Sequence, residues 1–439
     1  MSKFYIFLFL ILKNFNCDII TIPFKKYISP DINDTNFFSI YEKSYLYSKI
    51  KIGSPSKEIT AQIKTFQYSL CIKNNSSIYN YITSSSYKNN GEEISPSYTI
   101  DYKRAIPSNE TFIFGTENIK AENMKFMLTR ESKFDSDGIL GLKIHENNDK
   151  TKGHNLISQL KSAKLIDKEA FFFNFDENDS GELIIGDYPH NIKKFKDKYK
   201  EAQFKITNLH IPSYDINYDM KFRSILWNGT EFEKESIAHI ILESGYIIGS
   251  QSFEDKSYDF FQPFFRNKIC SRKIVNVKYW AYTCHESQEL DISTFPEINF
   301  YISDIEYNLN LTYQDLFIKK GDKIYFMVVF DKNGNVFWTL GDMFIKRNKL
   351  VFDMNRKILG IYDLNITIEN ETDDKTNEEN KKKKIILIVV ICVASAIIIG
   401  LVIFIIYKFV WKKGNKKPYE LNDDDYEYDT GINSEIIKE

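Results

Sequence analysis

Cysteine is the residue type whose chemistry is easiest to recognise in this chain of 439 residues. Cys17 ends the polar stretch after an apolar N-terminal run, and Cys392 lies inside an apolar C-terminal run, which leaves three cysteines between them. Cys270 and Cys284 would close a loop of 15 residues, and a disulfide of that span stabilises a fold by about 3 kcal/mol. We predict this bond, which fits an oxidising compartment. We expect Cys71 to be a buried thiol outside any disulfide rather than a nucleophile, since no histidine lies nearby in sequence.

A second residue with possible chemistry is Lys64, within Tyr47–Cys71, YSKIKIGSPSKEITAQIKTFQYSLC. This stretch resembles the first active-site hairpin of pepsin-like aspartic proteases, in which a strand ending in IGTPxQ leads into the loop FDTGSSxLW. The motif's Gly, Pro and Leu are kept, and the eleven-residue step from Gly53 places Lys64 where the family has its first catalytic aspartate. No aspartate occurs between positions 34 and 101, so a shifted alignment would not restore one.

The matching stretch in the second half of the chain is Ile240–Ile248, IILESGYII, which resembles the family's AIVDTGTSLL. The resemblance places Glu243 at the second catalytic aspartate and Gly245 in the substrate cleft. Aspartic proteolysis needs two carboxyl groups that share one proton. A lysine ammonium, with a usual pKa near 10.4, would instead form a salt bridge with a carboxylate. The resemblance therefore implies a protease fold in which Lys64 and Glu243 do not support ordinary proteolysis.

Other positions near the expected site also depart from the family's pattern. Phe66 replaces a glycine that lets the backbone approach the catalytic carboxylates. Cys71 stands at the family's core tryptophan. The stretch Ile100–Ala105, IDYKRA, resembles the flap motif ITYGTGS without its glycines. Tyr102 then corresponds to the tyrosine that closes over substrate, and the alternative is an ordinary hairpin residue.

The segments that must position these residues are short and of β type. From Ser44 to Tyr362, runs rich in Ile, Phe, Tyr and Val alternate with Gly, Asn-Asp and Ser clusters, which is typical of an all-β domain. The better candidates for helices are Asn155–Ser162 and Tyr313–Phe317. Further motifs resemble pepsin-like landmarks in the expected order: DGILGL at 137–142, GELIIG at 181–186, FPEINF at 295–300 and WTLGD at 338–342. We therefore predict an all-β, bilobal pepsin-like fold with a central cleft and a single C-terminal transmembrane helix.

The two ends of the chain predict a membrane protein. Met1–Cys17 has the lysine, the short apolar run and the polar end of a secretory signal peptide. Ile385–Tyr407 is apolar over 23 residues, which suits a hydrocarbon core about 30 Å thick. We expect a single-pass type I protein of the secretory pathway with an extracellular or luminal ectodomain. The predicted order is a signal peptide (1–17), an N-terminal segment (18–43), an N-terminal β-lobe (44–192), a C-terminal β-lobe (193–362), a polar stalk (363–384), a transmembrane helix (385–410) and an acidic cytosolic tail (411–439).

Composition limits the remaining partners. The formal net charge of −2 does not indicate nucleic acid, and we expect no metal and no cofactor. Asn-x-Ser/Thr sequons predict a glycoprotein. Those singled out are Asn33, Asn109, Asn178, Asn228 and Asn310.

Three functions remain open at this point. The first is a catalytically inactive, membrane-anchored ectodomain that binds peptide or protein segments in the cleft between its lobes. The second is a residual aspartic-type endopeptidase that uses Glu243, and loss of its acid-pH activity in Glu243→Gln would identify it. The third is a glycosylated structural or surface protein whose function survives mutation of the cleft. The oligomeric state stays open.

Overall fold

Two large β-sheets form the architecture, and each takes most of its strands from one half of the chain. The computed structural model describes residues 19–28, 37–75, 78–95, 102–130, 132–144, 155–176, 178–211 and 218–364. The predicted signal peptide, the transmembrane helix, the tail, nearly all of the stalk and Asn33 lie outside these residues. Within the described ranges, no helix combines the length and apolar character needed to cross a membrane.

The strands are short, as the sequence pattern predicts. Those of the first half are β1 (Ile20–Tyr27), β2 (Tyr45–Ile52), β3 (Lys57–Lys64), β4 (Cys71–Lys73), β5 (Lys88–Asn89), β6 (Ala105–Phe114), β7 (Ile119–Thr129), β8 (Gly138–Gly141), β9 (Ala170–Phe175), β10 (Gly181–Ile185) and β11 (Phe204–Asn208). Those of the second half are β12 (Asp219–Trp227), β13 (Thr230–Ile240), β14 (Ile247–Gly249), β15 (Cys270–Val275), β16 (Tyr279–His285), β17 (Ile298–Ile302), β18 (Tyr307–Leu311), β19 (Phe317–Lys320), β20 (Lys323–Phe326), β21 (Val328–Asp331), β22 (Trp338–Leu340), β23 (Val351–Asp353) and β24 (Ile358–Tyr362).

Strand order shows how the lobes are joined. The first sheet runs β11-β24-β23-β9-β10-β1-β2-β3-β8-β4-β7-β6-β5. The second runs β18-β17-β12-β13-β22-β14-β21-β16-β20-β19, with β15 paired to β16. The last two strands of the chain therefore return to the first sheet, where β23 pairs with β9. This return fixes the second lobe to the first at both of its ends.

β1 illustrates how the sequence sets the pairing. From Ile20 to Phe24 its side chains alternate between buried and less buried, as in a strand with one face on the core. Residues 20–24 pair with β10, and residues 25–27 pair with β2. Pro23, which has no N–H to donate to a ladder, lies close to this change of partner.

Among the described residues the α-helices are α1 (Phe37–Glu42), α2 (Leu156–Ser162), α3 (Gln251–Arg266), α4 (Tyr313–Leu316) and α5 (Asp342–Asn348). The helices predicted near 155–162 and 313–317 are present as α2 and α4. The longest, α3, was not predicted, because its aromatic-rich sequence with Pro263 inside is not typical of a helix. Ser250 caps it by accepting the Phe253 N–H, and Phe261 packs against Tyr282 of the sheet.

Candidate active site

The two positions predicted to carry catalysis lie at the ends of strands from opposite lobes. Lys64 is the last residue of β3, and Glu243 follows the end of β13 by three residues. Each of these strands has a parallel neighbour: β3 pairs with β8, and β13 pairs with β22. The neighbours carry the DGILGL and WTLGD motifs, so those motifs support the loops in which the two charged residues lie.

The Glu243 carboxylate is held by the loop of the first lobe. The Thr65 hydroxyl donates to Glu243 Oε2 at 2.9 Å, and the Phe66 backbone N–H donates to Oε1 at 2.9 Å. Thr65 Oγ1 in turn accepts the Leu242 N–H at 2.9 Å. Hydrogen bonds to an ionised carboxylate are stronger than neutral ones, and these contacts join the two loops directly.

Burial and the neighbouring groups act on Glu243 in opposite directions. Burial raises the pKa of the Glu243 carboxyl, because removal from water disfavours the charged form. The Lys64 ammonium, the Phe66 N–H and the Thr65 hydroxyl lower that pKa in part, and it remains above its usual value. Lys64 and Glu243, from opposite lobes, thus interact electrostatically.

Aspartic proteolysis uses a pair of carboxyl groups, whereas the groups that act on Glu243 include the Lys64 ammonium. In that pair, two like charges cannot both be ionised, so one group acts as acid and the other as base. A lysine opposite Glu243 removes the repulsion, and both Glu243 oxygens already accept hydrogen bonds. In the part of the chain that the structure describes, no group of three His, Cys, Asp or Glu side chains could hold a metal ion.

Lys143 is a second cation near the site, and its position there was not predicted from the sequence. It follows the DGILGL motif directly and is 3 % exposed. Its Nζ lies 4.4 Å from the ring centroids of both Phe66 and Tyr68, and such contacts contribute about 0.5–2 kcal/mol. The sequence contains a signal for these contacts. Lys143 ends a buried apolar run, and a buried ammonium requires partners.

Tyr102 is packed inside the first lobe in this structure. It is 1 % exposed, pairs with Ser132 in an isolated bridge, and packs in a cluster with Cys71, Met127 and Phe134. The role of Tyr102 in closing over substrate stays a prediction, beside the alternative of an ordinary hairpin residue.

Gly245 lies against the chain's own N-terminal segment. A Cβ at Gly245 would be 2.1 Å from the Tyr41 carbonyl oxygen and 2.5 Å from Ser44 Oγ. A side chain at position 245 would therefore collide with backbone, and the place of Gly245 in the substrate cleft stays a prediction. Residues 18–43 had no predicted role, although the aromatic pair Phe37-Phe38 was a signal for packing.

The cysteines have the predicted states. Cys270 and Cys284 form a disulfide and lie opposite each other on β15 and β16. Cys71 is a buried thiol whose Sγ donates to the Ser69 carbonyl at 3.4 Å. The predicted disulfide is therefore confirmed.

The sequons lie in different surroundings. Asn178 and Asn228 are exposed in turns, and Asn310 is half-buried on β18. Asn109 is 8 % exposed, and its amide donates to Asn123 Oδ1 at 2.7 Å. The folded chain therefore presents Asn178 and Asn228 to solvent more openly than Asn109.

Comparison with known proteins agrees with this architecture. The sequence model described as "Eukaryotic aspartyl protease" matches residues 45–363. The match covers most of the chain, so the chain belongs to the eukaryotic aspartyl protease family, with an all-β, bilobal pepsin-like fold.

Among solved structures, the chain is similar to the crystal structure of basic 7S globulin from soybean. The TM-score is 0.58 and the identity 12 %, over 79 % of this chain and 97 % of that chain. At this level of sequence identity, the similarity shows the fold alone. No curated protein sequence matches the chain.

Proposed function

We propose that this protein is a non-hydrolytic member of the aspartyl protease family that binds an extended polypeptide segment between its lobes. The segment 385–410 would anchor it in a membrane of the secretory pathway, with the lobes on the extracellular or luminal side. The observation that carries the proposal is the state of Glu243. Its two oxygens accept from Thr65 and Phe66, and the charge of Lys64 acts on it from the other catalytic position.

Hydrolysis by this family's chemistry requires a water held between two carboxyl groups, one of which takes its proton. An ammonium at position 64 has no lone pair with which to take that proton. Glutamate is also longer than aspartate by one methylene, and a catalytic group misplaced by about 1 Å can lose a hundredfold in rate. Phe66 adds a side chain where the family has a glycine.

Polypeptide is the ligand class that the fold favours. A cleft between two sheets presents strand edges, and extended peptides bind such edges through main-chain hydrogen bonds. Phe66 adds an aromatic ring that is 48 % exposed, with the Lys143 ammonium beside it. Both features suit recognition of an extended chain, which needs no hydrolysis.

The test is a hydrolysis assay with the full-length chain in detergent. An unfolded protein substrate is incubated across the acidic pH range, with and without the aspartic protease inhibitor pepstatin. We expect no pepstatin-sensitive cleavage from the wild type or from Glu243→Gln. In parallel, capture of peptides from a random library by the immobilised wild-type chain is expected, and failure to bind any peptide would contradict the binding part of the proposal.

One observation favours a second candidate, a residual acid endopeptidase. The pKa of Glu243 is raised by burial, so this carboxyl holds its proton to higher pH than usual and could act as an acid. The same assay separates the two functions. Pepstatin-sensitive cleavage that disappears in Glu243→Gln but persists in the exposed control Glu297→Gln would establish the endopeptidase and overturn the non-hydrolytic proposal.

A further inference from the structure

Residues 37–44, here called the connecting segment, form the described end of the connection between β1 and β2. Tyr27 of β1 and Tyr45 of β2 are paired, so the connection leaves the first sheet and returns to it at one place. At its β1 side, Lys26 forms an ion pair with Asp342 of the second lobe at 2.5 Å, and both side chains are buried. Residues 37–44 thus belong to a connection between two strands that pair with each other.

The connecting segment covers an aromatic surface of the second lobe. Phe37 and Phe38 are 1 % and 5 % exposed. They pack in one cluster with residues here called the tyrosine wall: Tyr246, Tyr279, Ala281, Tyr325, Met327 and Val329. The wall belongs to β16, β20 and β21, together with Met327 between β20 and β21 and Tyr246 from the loop that carries Glu243.

The contacts of Phe37 are of a kind that only an aromatic ring can make. Its ring is stacked on Tyr325 with centroids 3.6 Å apart and planes at 7°, and on Tyr41 with centroids 4.6 Å apart. Phe38 meets the rings of Tyr246 and Tyr325 edge-on, at 6.5 and 6.0 Å. Aromatic pairs gain energy from such geometry beyond the burial of their area. The wall is therefore shaped for two adjacent aromatic side chains.

The position of the segment makes this surface part of the candidate site. The Tyr41 carbonyl and Ser44 hydroxyl lie against Gly245, two residues from Glu243. A polypeptide that approached the Glu243 loop from this side would meet the connecting segment first.

We propose that the tyrosine wall is a binding site for polypeptide segments with two adjacent aromatic residues, and that Phe37 and Phe38 occupy it in the resting chain. This inference rests on the proposed function, because it names the chemistry of the ligand in the same cleft. A ligand binds by exchange with the connecting segment. Because Phe37 and Phe38 occupy the wall, an external ligand binds only while the wall is uncovered. Its apparent affinity is the intrinsic affinity multiplied by the fraction of time for which the wall is uncovered.

The experiment measures exchange with a probe made from the chain itself. A labelled synthetic peptide of residues 34–44 is titrated against the full-length wild type and the variant Phe37→Ala/Phe38→Ala, with fluorescence anisotropy as the readout. We expect the variant to bind the peptide at least about tenfold more tightly than the wild type. The same peptide with both phenylalanines replaced by alanine is the matched control, and no binding is expected.

Two further variants keep the test decisive. Phe37→Leu/Phe38→Leu retains apolar volume without ring stacking, and it replaces the alanine variant if thermal melting shows that the latter does not fold. Adding Tyr325→Ala to either background should abolish peptide binding. Equal binding by wild type and folded variants, or equal binding of the alanine peptide, overturns the inference.

The peptide-exchange experiment and the test of the proposed function can fail independently of each other. If the wild type captures library peptides without aromatic pairs while no folded variant binds the 34–44 peptide, the proposed function holds and the exchange at the tyrosine wall is wrong. If the chain hydrolyses substrate while the alanine variant binds the peptide as expected, the non-hydrolytic proposal is wrong and the wall remains a binding site.

Discussion

At the scale of single residues, the main departure from the family's pattern is the residue predicted to face Glu243, which is Lys64. A carboxyl partner would force the two groups to share a proton, whereas the Lys64 ammonium imposes no such constraint. Glu243 then accepts hydrogen bonds from Thr65 and Phe66 of the first lobe. Glu243 therefore contributes a hydrogen-bonded contact between the two lobes.

The raised pKa of Glu243 predicts how stability varies with pH. Because burial raises this pKa in the folded state, the folded chain holds the proton to higher pH than the unfolded chain. The contribution of Glu243 is then complete below its ordinary pKa of about 4.3 and is lost as pH rises through the raised value. Glu243→Gln, which cannot ionise, should not show that loss. The free energy of unfolding, measured by chemical denaturation at a series of pH values, checks this.

Glu297 offers the matched control, since it is an exposed glutamate of the second lobe. Glu297→Gln should follow the wild-type dependence on pH. A Glu243→Gln profile that falls in parallel with the wild type would show that Glu243 does not titrate as described.

Among the elements, the hairpin of β15 and β16 shapes the tyrosine wall. Tyr279 and Ala281 of β16 lie in the wall, and the disulfide Cys270–Cys284 closes the hairpin at its other end. The disulfide limits the conformations of the unfolded hairpin, which is the main source of its stabilisation in the chain-entropy model.

Replacing both half-cystines by serine should lower the free energy of unfolding by about 3 kcal/mol, the value for a closed loop of 15 residues. Chemical denaturation of the full-length chain measures it. Wild type in the presence of a reductant is the matched control and should unfold like Cys270→Ser/Cys284→Ser. An unchanged free energy in the variant would mean that the hairpin is equally restricted without the bond.

At the scale of the whole molecule, contacts between lobes are distributed along the chain. The hydroxyl of Tyr218, the residue before β12, donates to the Leu142 carbonyl at 2.5 Å, and β23 pairs with β9 of the first sheet. The buried ion pair of Lys26 and Asp342 adds a third contact. With the lobes joined at several places, exchange of the connecting segment requires less rearrangement than separation of the lobes.

Membrane attachment is also a property of the whole molecule, and the apolar segment 385–407 predicts it. A helix of 23 residues is about 35 Å long, enough to cross a hydrocarbon core of about 30 Å. Deleting 385–407 should move the protein from the carbonate-resistant membrane fraction to the soluble fraction. Deleting the tail 411–439 is the control and should leave the protein in the membrane. Persistence of the first deletion in the membrane pellet would exclude this anchor.

Much of the fold followed from local patterns in the sequence. The order of the DGILGL, GELIIG and WTLGD motifs resembles that of pepsin-like proteases, and this resemblance predicted the bilobal fold. The same resemblance placed Lys64 and Glu243 at the two catalytic positions. By contrast, the helix α3 was missed, since Pro263 and the surrounding aromatic residues are poor helix formers, and packing against Tyr282 overrides that propensity.

What the sequence determined by itself was the identity of the groups at the two catalytic positions, because side-chain type fixes charge and length wherever the backbone places it. Only the tertiary structure decided which partners those groups have. Thr65 and Phe66 meet Glu243 from 177 to 178 residues away in the chain, Tyr102 packs in an apolar cluster, and Gly245 lies against Tyr41 and Ser44. Such contacts depend on how two lobes and the connecting segment pack together, and no local pattern of residues encodes that packing.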